Sequence, residues 1–136
     1  MGKGRTSMAE EKSPAAGMFP GRAPIDAYGN GGFRFAGMSH KGSLLCLPSS
    51  IQAWDVTSVS ALAISSFRAI FAEQAAIGFV LLGTGRAHEF PSPEVRRAFA
   101  QAQLGLDIMD TGAACRTYNV LLAEGRPVAA ALLAVD

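Results

Sequence analysis

The chain is poor in the residues from which metal and redox centres are built. It has two cysteines and two histidines in 136 residues. Cys46 and Cys115 stand too far apart for a C-x-x-C pair or a zinc-ligand spacing. No metal site and no cofactor is expected, and such sparing use of thiols fits a reduced, intracellular compartment. G-K-[ST] does not occur, so there is no P-loop, and His88 occupies the place where a dinucleotide fingerprint starting at Gly83 needs its last glycine. Positive charge is also scarce where it would matter. Residues 1–24 carry four basic and two acidic side chains, and the remainder carries eight basic and nine acidic. Arg96-Arg97 is the one local basic cluster, so no broad basic face exists to grip a phosphate backbone, and nucleic acid is not an expected partner. Long apolar runs are missing as well. "AAIGFVLLG" and "VAAALLAV" are about half the roughly 20 residues a membrane-spanning helix needs. No apolar stretch follows the N-terminal charges, as a secretory signal requires, and no Arg/Ser-rich amphipathic transit helix is evident, which favours a soluble bacterial cytoplasmic protein.

What is present is enough apolar material for one core: 49% of the residues are hydrophobic, and the length suits one domain. Residues 1–24, rich in Gly, Pro, Ser and charge, are expected to form a disordered tail, with a single domain over 25–136. "IDAYGNGGFRFAG" sets Gly29-Asn30-Gly31-Gly32 between two short alternating runs, a hairpin signal. Leu44–Leu47 and Ile51–Val56 read as strands separated by Pro48-Ser49-Ser50. Phe67, Ile70 and Phe71 share the face of a short helix capped by Ser65 or Ser66. "IGFVLLGTG" is a continuous apolar run, the pattern of a strand buried on both faces. Ser92 and Pro93 open a helix that Gly105 stops, "LDIMD" is a short strand, and a helix from Asp110 ends at Gly125 before the strand "VAAALLAV". The order strand, helix, strand, helix, strand predicts a parallel βαβαβ C-terminal core joined to an N-terminal antiparallel β element, an α/β fold. Whether the last strand is central or pairs at an edge with another copy is left open.

In a parallel sheet, ligands meet the carboxyl ends of the strands. Gly83-Thr84-Gly85-Arg86 follows the first parallel strand and Asp110-Thr111-Gly112 the second, so neighbouring strands would bring the two loops face to face. Their amides, hydroxyls and positive helix ends suit a carboxylate or phosphate, with Arg86 as a clamp. The same residues also suit a purely structural role, with glycines turning the chain sharply and Thr84 and Thr111 satisfying orphan amides. Along the helix "TGAACRTYNVLLAEGR", Ala114, Tyr118, Leu121 and Leu122 form an apolar arc with Cys115 at its edge. A helix N-terminus can activate a thiol, and His88 is the one base on that edge, but small apolar packing is the commoner use of a buried cysteine. Thr117 and Asn119 have neither a cap nor a core role. Glu124 and Arg126 read as a local ion pair, Trp54 as core or lid rather than a partner-binding anchor, and Asp26 and Asp55 as unpaired. The candidate ligand-binding residues are therefore Gly83, Thr84, Gly85, Arg86, Thr111 and Cys115, and no residue is assigned as catalytic.

Taken together, "IDAYGNGGFRFAG", "GSLLCLP", Trp54, "GFVLLGTG", "SPEVRRAF" and "TGAACRTYNVLLAEGRPVAAALL" resemble a small family of uncharacterised bacterial and archaeal proteins that includes the mitochondrial complex I assembly factor three. The resemblance covers about residues 25–134. Its most specific parts are the Gly-Thr-Gly after a strand and the helix carrying Thr111, Ala114, Thr117 and Asn119. It implies a three-layer fold, a central mixed sheet with helices on one side and an additional antiparallel β element. The mitochondrial relatives assist assembly of the membrane-bound NADH:ubiquinone oxidoreductase, and the family has no agreed catalytic residues. The resemblance therefore implies a non-enzymatic assembly-factor or chaperone-like module. Its expected partners are proteins: respiratory-complex subunits or membrane-biogenesis factors. The alternative is a binder or enzyme for a small anionic ligand in the crevice of Gly83-Thr84-Gly85 and Thr111.

Overall fold

The computed structural model describes residues 19–136. The strands are β1 (Phe19–Pro20), β2 (Ile25–Gly29), β3 (Gly32–Phe35), β4 (Met38–Lys41), β5 (Ser43–Cys46), β6 (Ser50–Trp54), β7 (Phe79–Gly83), β8 (Gly105–Met109) and β9 (Val128–Leu132). The helices are α1 (Arg68–Ala72), α2 (Pro93–Gln101) and α3 (Thr111–Ala123). A six-stranded sheet runs β1-β6-β5-β9-β7-β8, and β2, β3 and β4 form a separate three-stranded antiparallel sheet. β9 is central. It pairs antiparallel with β5 through Leu45 and Ala131, and parallel with β7 through Leu81 and Ala130. The main sheet is therefore mixed, and β9 is not available to pair with another copy at an edge.

β7 shows why a continuous apolar run is needed here. Val80 and Leu82 face one core with Val95 and Phe99 of α2 and with Phe67 and Ile70 around α1. Leu81 faces the other core, with Ala114, Cys115 and Tyr118 of α3 and with Ile25, Phe33 and Phe35 of the small sheet. Helices thus lie on both faces, α1 and α2 on one and α3 on the other, where the resemblance implies one side. The first core is stiffened by a chain of rings, Trp54 to Phe67 at 5.6 Å, Phe67 to Phe99 at 5.0 Å and Phe71 to Phe99 at 4.9 Å. Trp54 is buried, and its indole N–H donates to the Ser66 carbonyl at 2.8 Å.

The hairpin closes on Asn30 and Gly31, both left-handed at φ 51° and 78°. Those angles match the twist of a two-residue hairpin loop, which is why Asn-Gly is so common there. Ser92 caps α2 by accepting from Val95 N–H at 3.3 Å, with Pro93 at the first helical position.

Several boundaries differ from the sequence expectation. Of the expected tail, residues 1–18 lie outside the described residues. Phe19 and Pro20, however, pair with Ile51 and Ser50, and Ala23 is buried. Neither Ser65 nor Ser66 caps α1: the Ser66 hydroxyl accepts instead from Ala63 N–H at 3.0 Å, in the tight turn before the helix. The left-handed residue after α2 is Gln103, at φ 56°, while Gly105 already belongs to β8. No helix among the described residues is long and apolar enough to cross a membrane.

Candidate functional site

The pairing of β7 with β8 sets Gly83 opposite Met109, so the chain segments that follow meet at one edge of the sheet, as the sequence pattern required. The structure shows what the meeting consists of. The Thr111 hydroxyl accepts from Gly85 N–H at 2.9 Å and donates to the Leu133 carbonyl at 2.7 Å. Thr111 N–H donates to the Gly85 carbonyl and Thr84 N–H to the Met109 carbonyl, at 2.8 and 2.9 Å. The Thr84 hydroxyl donates to the Ala87 carbonyl at 2.6 Å. Thr111 is fully buried, and a Cβ on Gly83 would stand 3.0 Å from both the Cα and the Oγ1 of Thr111. The two loops are bonded to each other and leave no slot between them. Asp110 caps α3 by accepting from Ala113 N–H at 2.8 Å.

Space opens beside this seam. A crevice of about 500 Å³ has Thr84, Gly85 and Arg86 on one wall and Ser43, Thr57 and Ser58 on another. Residues 133–136 run through it like a stitch. Leu133 N–H donates to the Gly83 carbonyl at 3.0 Å, Ala134 N–H to the Ser43 hydroxyl at 3.0 Å, and Gly31 N–H to the Val135 carbonyl at 2.8 Å. The Arg86 guanidinium reaches the Asp136 carbonyl at 3.4 Å, and Glu89 and Asp136 line the same crevice. The structure thus gathers Thr84, Gly85 and Arg86 at a polar opening and commits Gly83 and Thr111 to the seam beneath.

Cys115 goes elsewhere. It is 3% exposed and faces the core that holds Cys46 and Tyr118. Burial pushes its thiol from the usual value near 9 up to about 12, against the smaller opposing pull of Arg116. Burial likewise pushes Cys46 and its hydrogen-bonded neighbour Tyr118 upward. His88 stacks edge-on against Phe90 at 4.8 Å, and Phe90 is exposed.

The raised thiol has a checkable consequence. The folded state holds its proton at a pH where the unfolded state has lost it, so the stabilisation is complete below about pH 9 and drains away towards pH 12. Urea-unfolding midpoints should fall across that window, and Cys115→Val should lessen the fall, leaving the part that Cys46 and Tyr118 contribute. In the folded protein, iodoacetamide should leave both thiols unmodified on a timescale that alkylates the urea-unfolded chain.

Asn119 has a role that its place on the helix did not reveal. Its side-chain oxygen accepts from Ile25 N–H and its amide donates to the Ile25 carbonyl, both at 2.8 Å. It acts as a one-residue strand partner that ties β2 to α3. Asn119→Leu should cost about 2 kcal/mol, because two partly buried backbone groups lose their partner. Amide exchange at Ile25 should rise more than exchange in β7, which separates loss of this tie from global loosening. Glu124 and Arg126 do form an ion pair, at 3.9 Å with both side chains more than half exposed. Its worth is small. Among the described residues no cluster of His, Cys, Asp and Glu could hold a metal ion.

Comparison with known proteins places these observations in a family. The model of a family described as a protein of unknown function (DUF498/DUF598) matches residues 25–133. The chain is 34% identical to mouse NADH dehydrogenase (ubiquinone) 1 alpha subcomplex assembly factor 3, over 85% of this chain and 62% of the mouse protein. It is 36% identical to an uncharacterised protein of Rhodobacter capsulatus, over 85% of this chain and 87% of that one. Among solved structures, one described as an outer membrane protein from Bartonella henselae superposes with a TM-score of 0.81 at 50% identity. That match covers 87% of this chain and 99% of the other.

Proposed function

Because the chain belongs to the DUF498/DUF598 family, we propose that it is a non-enzymatic assembly or chaperone-like module that binds a protein partner during biogenesis of a respiratory membrane complex. One observation carries the reading. The polar groups that a catalytic or ligand site would need at the sheet edge, the Thr84 and Thr111 hydroxyls and the Gly85 amide, are spent on bonds within and between the two loops. An assembly module needs a rigid surface rather than a free nucleophile or base. The relationship to the mouse assembly factor supports this role. The partners proposed are respiratory-complex subunits or membrane-biogenesis factors, met from the cytoplasmic side of a bacterial membrane. Tagged protein purified from its native host should enrich such a subunit or factor above a control carrying substitutions in the crevice. Equal recovery from both, or none from either, would sink the idea.

The open crevice supports a second reading, that a small anionic ligand binds against Thr84, Gly85 and Arg86. Metabolite screening by thermal shift should then give a hit that disappears in Arg86→Ala. An unchanged shift in that variant would count against it.

A further inference from the structure

The small sheet carries a feature that the assembly reading does not use. Along β3, Phe33 and Phe35 are buried and Arg34 between them is exposed, so Arg34 points away from the core. Register places Ala27 of β2 and Ser39 of β4 on either side of Arg34, and Lys41 opposite Gly32. The outer face is therefore two cations and a serine set among residues with little or no side chain. No described residue stands within 4 Å of where a Cβ on Gly29 would lie, and the face borders an open hollow of about 330 Å³.

Charge distinguishes this hollow from two others. In the crevice at the sheet edge Arg86 is accompanied by Glu89 and Asp136, and in a hollow of about 610 Å³ beside Trp54, Arg68 is accompanied by Asp55. Among the described residues no carboxylate lines the hollow of the small sheet. Both of its cations rest on neutral oxygens: Arg34 donates to the Ser39 hydroxyl at 2.8 Å and Lys41 to the Asn30 carbonyl at 3.3 Å. Lys41 is also the only lysine after residue 12.

We propose that this hollow is a binding site for a phosphate group, with Arg34 and Lys41 as its two charged ligands and Ser39 as a supporting donor. A phosphate oxyanion offers each cation a charge-assisted bond in place of a neutral one, and such bonds are about twice as strong. The fork of Arg34 can take two oxygens while Lys41 supplies a point charge. The gap left by Ala27 and Gly29 admits the group beside the two cations. The same chemistry is found in a free phosphorylated metabolite and in a phospholipid headgroup, and two probes tell them apart.

Inorganic pyrophosphate is titrated calorimetrically into the full chain. In parallel, the protein is floated with phosphatidylglycerol vesicles and with phosphatidylcholine vesicles. Binding to pyrophosphate alone assigns a soluble ligand; selective flotation with phosphatidylglycerol, with or without pyrophosphate binding, assigns a headgroup. In either case binding weakens as salt rises. The double variant Arg34→Gln, Lys41→Gln loses roughly tenfold or more in affinity, because two charged hydrogen bonds go. Its thermal midpoint stays at the wild-type value because both side chains are exposed, and Arg34→Lys, which keeps the charge, retains binding. The proposal is overturned if neither probe binds, or if the double variant binds as well as wild type.

Discussion

Thr111→Val should lower unfolding free energy by about 3 kcal/mol, which corresponds to a thermal midpoint roughly 10 °C below wild type. The substitution preserves shape and removes one oxygen. That oxygen ties three segments at once: it accepts from Gly85 N–H after β7, sits at the start of α3, and donates to the Leu133 carbonyl after β9. A methyl group in its place leaves a donor and an acceptor facing each other across an apolar gap where Thr111 is fully buried. Unsatisfied buried groups cost about 1–3 kcal/mol each, and the partly buried Gly85 amide recovers some of its share from solvent. Thr111→Ser keeps both bonds and loses one methyl, so it should cost about 1 kcal/mol. Denaturant titrations of the three proteins make the comparison. A valine variant no weaker than the serine variant would mean that packing of the methyl, rather than the hydroxyl, holds the seam.

Gly32→Ala should be comparably severe for a different reason. A Cβ at that position collides with the backbone carbonyl of His40 and lies 3.2 Å from the Cα of Lys41. Backbone in a paired strand has no rotamer to change, so β3 and β4 must part, and the expected cost is about 3 kcal/mol or more. Gly31→Ala, one residue earlier, is the control. Its Cβ would meet nothing within 4 Å, and only its positive φ is unfavourable; about 1 kcal/mol is expected. Amide-exchange protection should collapse in β4 for Gly32→Ala while surviving in β7 and β9. Equal costs for the two substitutions would show that conformational preference, not close approach, selects glycine at position 32.

How far these features could be read from the sequence depends on whether a neighbour in the chain or a neighbour in space decides them. Asn30-Gly31, Ser92-Pro93 and the run Phe79–Gly83 were legible because turn angles, caps and burial on both faces are stated by adjacent residues. "MSHK", which forms β4, carries little strand signal of its own, since it has no apolar alternation and is held by β3 through its backbone. Gln103 takes the left-handed position after α2 although Gly105 stood nearby, because the chain must already be extended at Gly105 to pair with Phe79. At the candidate site, the meeting of the two loops is readable from the strand order, but the closing bonds are not, because the Thr111 hydroxyl that makes them is held by the Leu133 carbonyl, delivered just past a third strand. Asn119 was invisible for the same kind of reason: its partner, Ile25, lies 94 residues away.

The central place of β9 has a consequence in time. β9 is made after every other described strand, yet it alone joins β5 to β7. Until it emerges during synthesis, the β1-β6-β5 ribbon and the β7-β8 pair share no hydrogen bonds and each exposes an unpaired edge of apolar strand. The nascent chain must therefore carry two half-sheets that are prone to wrong pairing, and it can zip them into one fold only once β9 has been made.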